Sequence, residues 1–100
     1  NLERDTETAR SGWSVVQTML SDPAFDLIIL DELTYPIKFG WLDLDTVLND
    51  LKNRPAMQHV VITGRGAPEA LCEAADTVTE MTDVKHAYRA GVQAQKGIDL

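Results

Sequence analysis

Leu27-Ile28-Ile29-Leu30-Asp31-Glu32 reads as a short buried strand that stops abruptly in two acids. An apolar run without alternation, bounded by charge, is the pattern of a strand covered on both faces. His59-Val60-Val61-Ile62 repeats the pattern and ends in Thr63-Gly64-Arg65-Gly66. Between the two lies a helix, from about Leu44 to Lys52, with Asp43 as its cap and Leu44, Val47, Leu48 and Leu51 as its apolar stripe. Asn53-Arg54-Pro55 stops it. Strand, helix, strand is the repeating unit of a parallel sheet with right-handed crossovers.

Further out, Ala9, Trp13, Val16 and Leu20 recur at helical spacing, which predicts a helix from about Thr6 to Leu20. Asp5 or Thr6 is its expected cap, Pro23 lies just past its end, and Gly12 is expected to mark a close packing contact. A third helix is expected from Pro68 to about Ala75. Thr77-Val78-Thr79-Glu80-Met81 alternates like a third strand, and Val84 to Leu100 has room for a short strand at most. Leu33 to Phe39 is ambiguous, broken by Pro36 and Gly40. The expected fold class is α/β, three-layered, with a mostly parallel sheet.

The chain has 100 residues, 44% apolar and 25% charged, the make-up of one globular domain. Its net charge of −7 leaves no basic surplus for duplex nucleic acid. No apolar run approaches the roughly 18 residues of a membrane helix, so neither a nucleic acid nor a membrane is an expected partner. Cys72 is the one cysteine, which excludes an internal disulfide and suits a reducing cytoplasm. With His59 and His86 it is too little for a Cys/His zinc cluster. Cys72, Trp13, Trp41, Tyr35 and Phe39 read most simply as packing residues.

Ligands of open parallel sheets bind beyond the carboxyl ends of the strands. Asp31-Glu32 and Thr63-Gly64-Arg65-Gly66 both occupy such ends. A carboxylate pair there can hold Mg²⁺, and a guanidinium beside it can clamp a phosphate through parallel hydrogen bonds. The plainer alternative makes Asp31 and Glu32 solvated strand-end acids and Arg65 a loop arginine paired with a surface acid. A different function class also fits. Asp31, Thr63 and Lys85 follow successive strand-like segments, as the Asp, Ser/Thr and Lys of receiver-like phosphoacceptor modules do. Against it, no earlier strand supplies an acidic pair, and Glu32 directly follows Asp31.

Four motifs, taken together, are more specific. Asp31-Glu32-Leu33-Thr34-Tyr35, Val60-Val61-Ile62-Thr63-Gly64-Arg65-Gly66-Ala67, Val84-Lys85-His86 and Ala90-Gly91-Val92-Gln93-Ala94-Gln95-Lys96-Gly97-Ile98-Asp99 occur in this order. They resemble the bacterial ATP:corrinoid adenosyltransferases of the P-loop type, and the resemblance extends over essentially the whole chain. It implies a RecA-like P-loop NTPase fold, of which this chain is the C-terminal part, working as a homodimer. The implied reaction moves the 5′-deoxyadenosyl group of ATP to the cobalt of a reduced corrinoid, cob(I)alamin or cobinamide, and releases triphosphate. Mg²⁺ or Mn²⁺ is the implied metal, and a reductase supplying electrons to cobalt is an implied partner. Carried over, Glu32 is the metal-associated acid, Asp31 a neighbouring acid acting through water, and Thr63 and Arg65 nucleotide-side contacts. The family's Gly-rich phosphate loop and its aromatic segment for displacing the lower corrinoid ligand have no match among these residues. Asn1 opens the chain without a Met, so the native polypeptide is expected to extend N-terminally by a strand, a Gly-rich loop ending in Lys-Thr or Lys-Ser, and a helix. A generic P-loop NTPase fragment is the remaining alternative.

Overall fold

The computed structural model describes residues 1–85. The elements run α1 (Leu2–Leu20), β1 (Leu27–Leu30), α2 (Thr34–Lys38), α3 (Leu44–Lys52), β2 (His59–Ile62) and α4 (Glu69–Ala74).

α1 starts earlier than its apolar stripe predicts. Asn1, not Asp5 or Thr6, is the cap, its side chain accepting from the Arg4 amide at 3.2 Å. Apart from the exposed Leu2 the first turn is polar and so carries no periodicity, but Glu3 and Asp5 favour the positive end of the helix dipole. The stripe itself is as expected: Trp13 and Leu20 are buried, and Ala9 and Val16 pack against the core. Gly12 touches nothing that a methyl group would meet, so it marks no close contact. α3 keeps its predicted bounds, with Asp43 accepting from the Thr46 amide at 3.1 Å. The ambiguous segment after Leu33 folds as the short helix α2. Pro36 is tolerated there because it lies in the first turn, where its missing amide has no intrahelical partner. α4 follows Pro68 as expected.

β1 and β2 are parallel, with Leu27 opposite His59 and Leu30 opposite Ile62. The pairing is as the alternation of elements predicts. The extent of the sheet is not: the described residues hold two strands. Residues 77–83 form no strand, and Val78 and Met81 are 60% and 91% exposed. An alternating sequence becomes a strand only where a neighbour offers a ladder and a face to pack on. The short strand expected in the tail falls mostly on residues 86–100, which lie outside the described residues.

The strands are also covered on one face rather than two. Ile28 and Leu30 join Trp13, Leu20, Leu33, Leu42, Val47, Leu51 and Leu71 in one core, with Val60 and Ile62 packed against it. On the alternate face Leu27, Ile29 and Val61 are 55%, 62% and 47% exposed. The expected third layer is therefore not among the described residues. Tyr35 and Phe39 are likewise exposed, not core, and Cys72 is only half-buried.

Polar ties fix the helices to the strands. The Trp13 indole donates to Asp50 at 2.8 Å, joining α1 to α3. The Gln58 amide donates to the carbonyls of Met19 and Asp22, 3.3 and 3.1 Å away, which ties the start of β2 to the turn that ends α1. Both ties lie away from the strand ends that carry the acids.

Candidate functional site

Parallel pairing brings the two polar strand ends to one rim. The Thr63 amide donates to the Leu30 carbonyl at 3.1 Å, and the Leu33 amide donates to the Thr63 carbonyl at 3.1 Å. The ladder thus continues past the formal end of both strands, and Asp31 and Glu32 are strung directly beside Thr63.

Thr63 uses its hydroxyl twice. It donates to Asp31 Oδ1 at 2.7 Å and accepts from the Glu32 amide at 3.0 Å. Glu32 itself has φ +56°, a left-handed conformation that L side chains adopt at a cost. On the other side of the rim, Thr34 is 3% exposed and its hydroxyl donates to the Arg65 carbonyl at 3.0 Å. Gly64 makes this possible. A methyl group at Gly64 would run into the Thr34 hydroxyl and lie 2.7 Å from its Cγ2. Gly66 takes φ +59° in the bend that leads to Pro68.

Asp31, Glu32, Thr63 and Arg65 are all exposed on this rim. Among the described residues no cation pairs with either carboxylate, and no acid pairs with Arg65. The rim therefore offers two acids and a guanidinium to solvent, held on two loops that are bonded to each other. A groove of about 340 Å³ runs from α1 to the acids, lined in part by Gly12, Trp13, Ile29 and Pro36. Among the described residues no three His, Cys, Asp or Glu side chains gather to hold a metal by themselves.

The sequence reading brought Asp31, Glu32, Thr63 and Arg65 to one rim, and the structure does the same. It missed Thr34. The signal was present in the Asp31-Glu32-Leu33-Thr34 run, but only the fold shows that Thr34 crosses to the Arg65 loop. Lys85, the third member of the receiver-like set, follows a segment that forms no strand. The aromatic residues also form something the sequence did not declare: Tyr35, Phe39 and Trp41 cluster with ring centroids 4.7, 5.6 and 5.4 Å apart.

Comparison with known proteins shows the family. The family model of ATP:corrinoid adenosyltransferase BtuR/CobO/CobP matches residues 1–100. The chain is 55% identical over 98 residues to the corrinoid adenosyltransferase of Pseudomonas aeruginosa, covering 98% of this chain and 48% of that protein. It is 48% identical over 99 residues to the corrinoid adenosyltransferase of Escherichia coli K12, covering 99% and 50%. The corrinoid adenosyltransferase CobA of Salmonella typhimurium is 46% identical over 99 residues, with the same 99% and 50%. The chain thus spans about half the length of these relatives. Matched from its first residue to its last, this α/β chain with two acids and an arginine on one rim belongs to the ATP:corrinoid adenosyltransferase family.

Proposed function

We propose that the polypeptide carrying this chain transfers the 5′-deoxyadenosyl group of ATP to the cobalt of a reduced corrinoid, cob(I)alamin or cobinamide. The observation that carries the reading is the shared rim, where Asp31 and Glu32 lie beside Thr63 and the Arg65 loop in a member of this family. In the reaction the cobalt electron pair attacks C5′ of ATP. A Co–C bond forms, the C5′–O bond breaks, and triphosphate leaves with the electron pair of that bond. The corrinoid is the nucleophile, so the protein need supply no base. Its tasks are to hold C5′ in line and to neutralise the leaving group.

Arg65 suits the second task. Its planar guanidinium can meet two phosphate oxygens at once. Thr63 lies beside it on the nucleotide side. Asp31 and Glu32 supply an oxygen-only donor set with few protein ligands, which fits Mg²⁺ or Mn²⁺ completed by water and phosphate oxygens. Such an ion supplies charge neutralisation of the triphosphate. Glu32 would hold it and Asp31 would act through water.

The fold is RecA-like and of the P-loop type, and residues 1–100 form its C-terminal portion. The open face of Leu27, Ile29 and Val61 supports a further layer. A Gly-rich phosphate loop elsewhere in the polypeptide completes the triphosphate site. A cytoplasmic homodimer served by a reductase rests on the family resemblance alone. No helix among the described residues is long and apolar enough to cross a membrane.

The test is to incubate the native polypeptide with ATP, Mg²⁺ and chemically reduced cobalamin. A light-sensitive alkylcobalamin spectrum with matching triphosphate release is expected. Release of orthophosphate without cobalt alkylation would instead indicate a generic NTPase. Labelling of Asp31 by a small phosphodonor would revive the phosphoacceptor reading.

A further inference from the structure

We infer that Thr63 is a positioning residue: its hydroxyl pins Glu32 in the left-handed conformation and turns Asp31, so that the two acids present their carboxylates together. This rests on the reading of the acids as a metal site and assigns Thr63 a role distinct from direct nucleotide contact. A threonine hydroxyl has one proton to give. Here the proton goes to Asp31 Oδ1 at 2.7 Å, while the oxygen receives the Glu32 amide at 3.0 Å. The strong, charge-assisted half of that pair fixes the Asp31 carboxylate. The other half holds the Glu32 backbone where φ is +56°.

A left-handed residue other than glycine persists only where its surroundings hold it there. At Glu32 the structure shows what does so. The Thr63 hydroxyl takes its amide, and the next amides, Leu33 and Tyr35, donate to the Thr63 and Glu32 carbonyls, both at 3.1 Å. The left-handed turn changes the direction in which the side chain leaves the backbone, relative to the strand before it. Without that turn Glu32 would continue the alternation of β1 instead. Thr34 reinforces the arrangement from the other side by tying α2 to the Arg65 carbonyl at 3.0 Å. Thr63 thus bonds across to Asp31 and Glu32, and Thr34 at the start of α2 bonds back to the Arg65 loop.

The experiment compares Thr63→Val and Thr63→Ser in the native polypeptide. Valine keeps the shape and removes both hydrogen bonds, whereas serine keeps the hydroxyl. Two readouts are taken: hydrogen exchange at the Glu32 amide, and Mn²⁺ affinity in the presence of ATP followed by electron paramagnetic resonance. Thr63→Val is expected to speed Glu32 exchange and to weaken Mn²⁺ binding, each by about tenfold, the scale of one lost hydrogen bond. Thr63→Ser is expected to stay within about threefold of the parent in both, since it retains the hydroxyl. Unchanged exchange in a folded Thr63→Val protein overturns the proposal. So does a serine variant as impaired as the valine one, which would make the methyl group the agent. Should Thr63→Val not fold, exchange in Thr63→Ser decides alone: parental exchange supports the pin, and fast exchange overturns it. Faster exchange in Thr63→Val, with Mn²⁺ binding indifferent to both Thr63→Val and Glu32→Gln, keeps the pin and removes the metal reading instead.

Discussion

Glu32 carries two properties that pull in opposite directions. Its carboxylate faces solvent on the rim, and its backbone sits at φ +56°. For an L residue this conformation costs on the order of 1–2 kcal/mol. Glu32→Gln should leave the fold intact while lowering turnover by at least about 10²-fold, the scale of one lost electrostatic contact at an active site. Turnover near normal at limiting Mg²⁺ would remove Glu32 from the site. Glu32→Gly should also abolish turnover, yet its urea midpoint should not fall below that of the parent, because glycine enters this conformation freely. A clear drop in that midpoint would show that the turn stores no strain. Arg65 makes a separate prediction. If its fork meets two oxygens, Arg65→Lys loses nucleotide affinity nearly as badly as Arg65→Ala, since lysine keeps the charge but not the geometry. Full affinity in the lysine variant would reduce Arg65 to a point charge.

Among the elements, the loops after β1 and β2 behave as one unit because each bonds to the other. Gly64 and Gly66 contribute to that unit for different reasons, and substitution separates them. At Gly64 an added methyl group meets the Thr34 side chain, with Cγ2 at 2.7 Å and Cβ at 2.8 Å. Gly64→Ala should therefore cost about 1–3 kcal/mol by overpacking and should disturb the Arg65 loop. At Gly66 the space is open but φ is +59°. Gly66→Ala should cost on the order of 1 kcal/mol through the backbone alone. Denaturant midpoints, together with nucleotide affinity in the native polypeptide, check both. Equal effects of the two on affinity would mean that the Thr34–Gly64 contact does not position Arg65. The same logic explains why the strand expected over Thr77 to Met81 does not form. A period of two is a property of the sequence, whereas a strand is a property of a pair.

For the whole molecule, net charge and surface decide what the hundred residues can do by themselves. At −7 the chain repels a polyphosphate, and the described rim opposes it with a single arginine. The isolated chain should bind ATP no more tightly than about millimolar, because the amides and lysine of a phosphate loop normally carry most of that affinity. Calorimetry checks this, and micromolar binding would end the picture of a site completed from elsewhere in the polypeptide. The open face of Leu27, Ile29 and Val61 belongs to the same scale. Apolar strand residues exposed to this degree are a surface that a sheet normally covers with another layer.

The sequence by itself determined what local pattern can encode. The stripe of Ala9, Trp13, Val16 and Leu20 specified α1, Asp43 and Leu44 to Leu51 specified α3, and two apolar runs specified a parallel pair. Four motifs taken together were enough to name the family, and the two that end those runs brought Asp31, Glu32, Thr63 and Arg65 to one rim. Tertiary structure decided the rest, because it concerns partners distant in the chain. Only packing shows that Thr34 fills the space a side chain at Gly64 would need, or that the Thr63 hydroxyl is divided between Asp31 and Glu32. An apolar run reads the same whether one of its faces is covered or both. The half-open strand pair and the cluster of exposed Tyr35 and Phe39 with half-buried Trp41 therefore became visible only once the layers were placed.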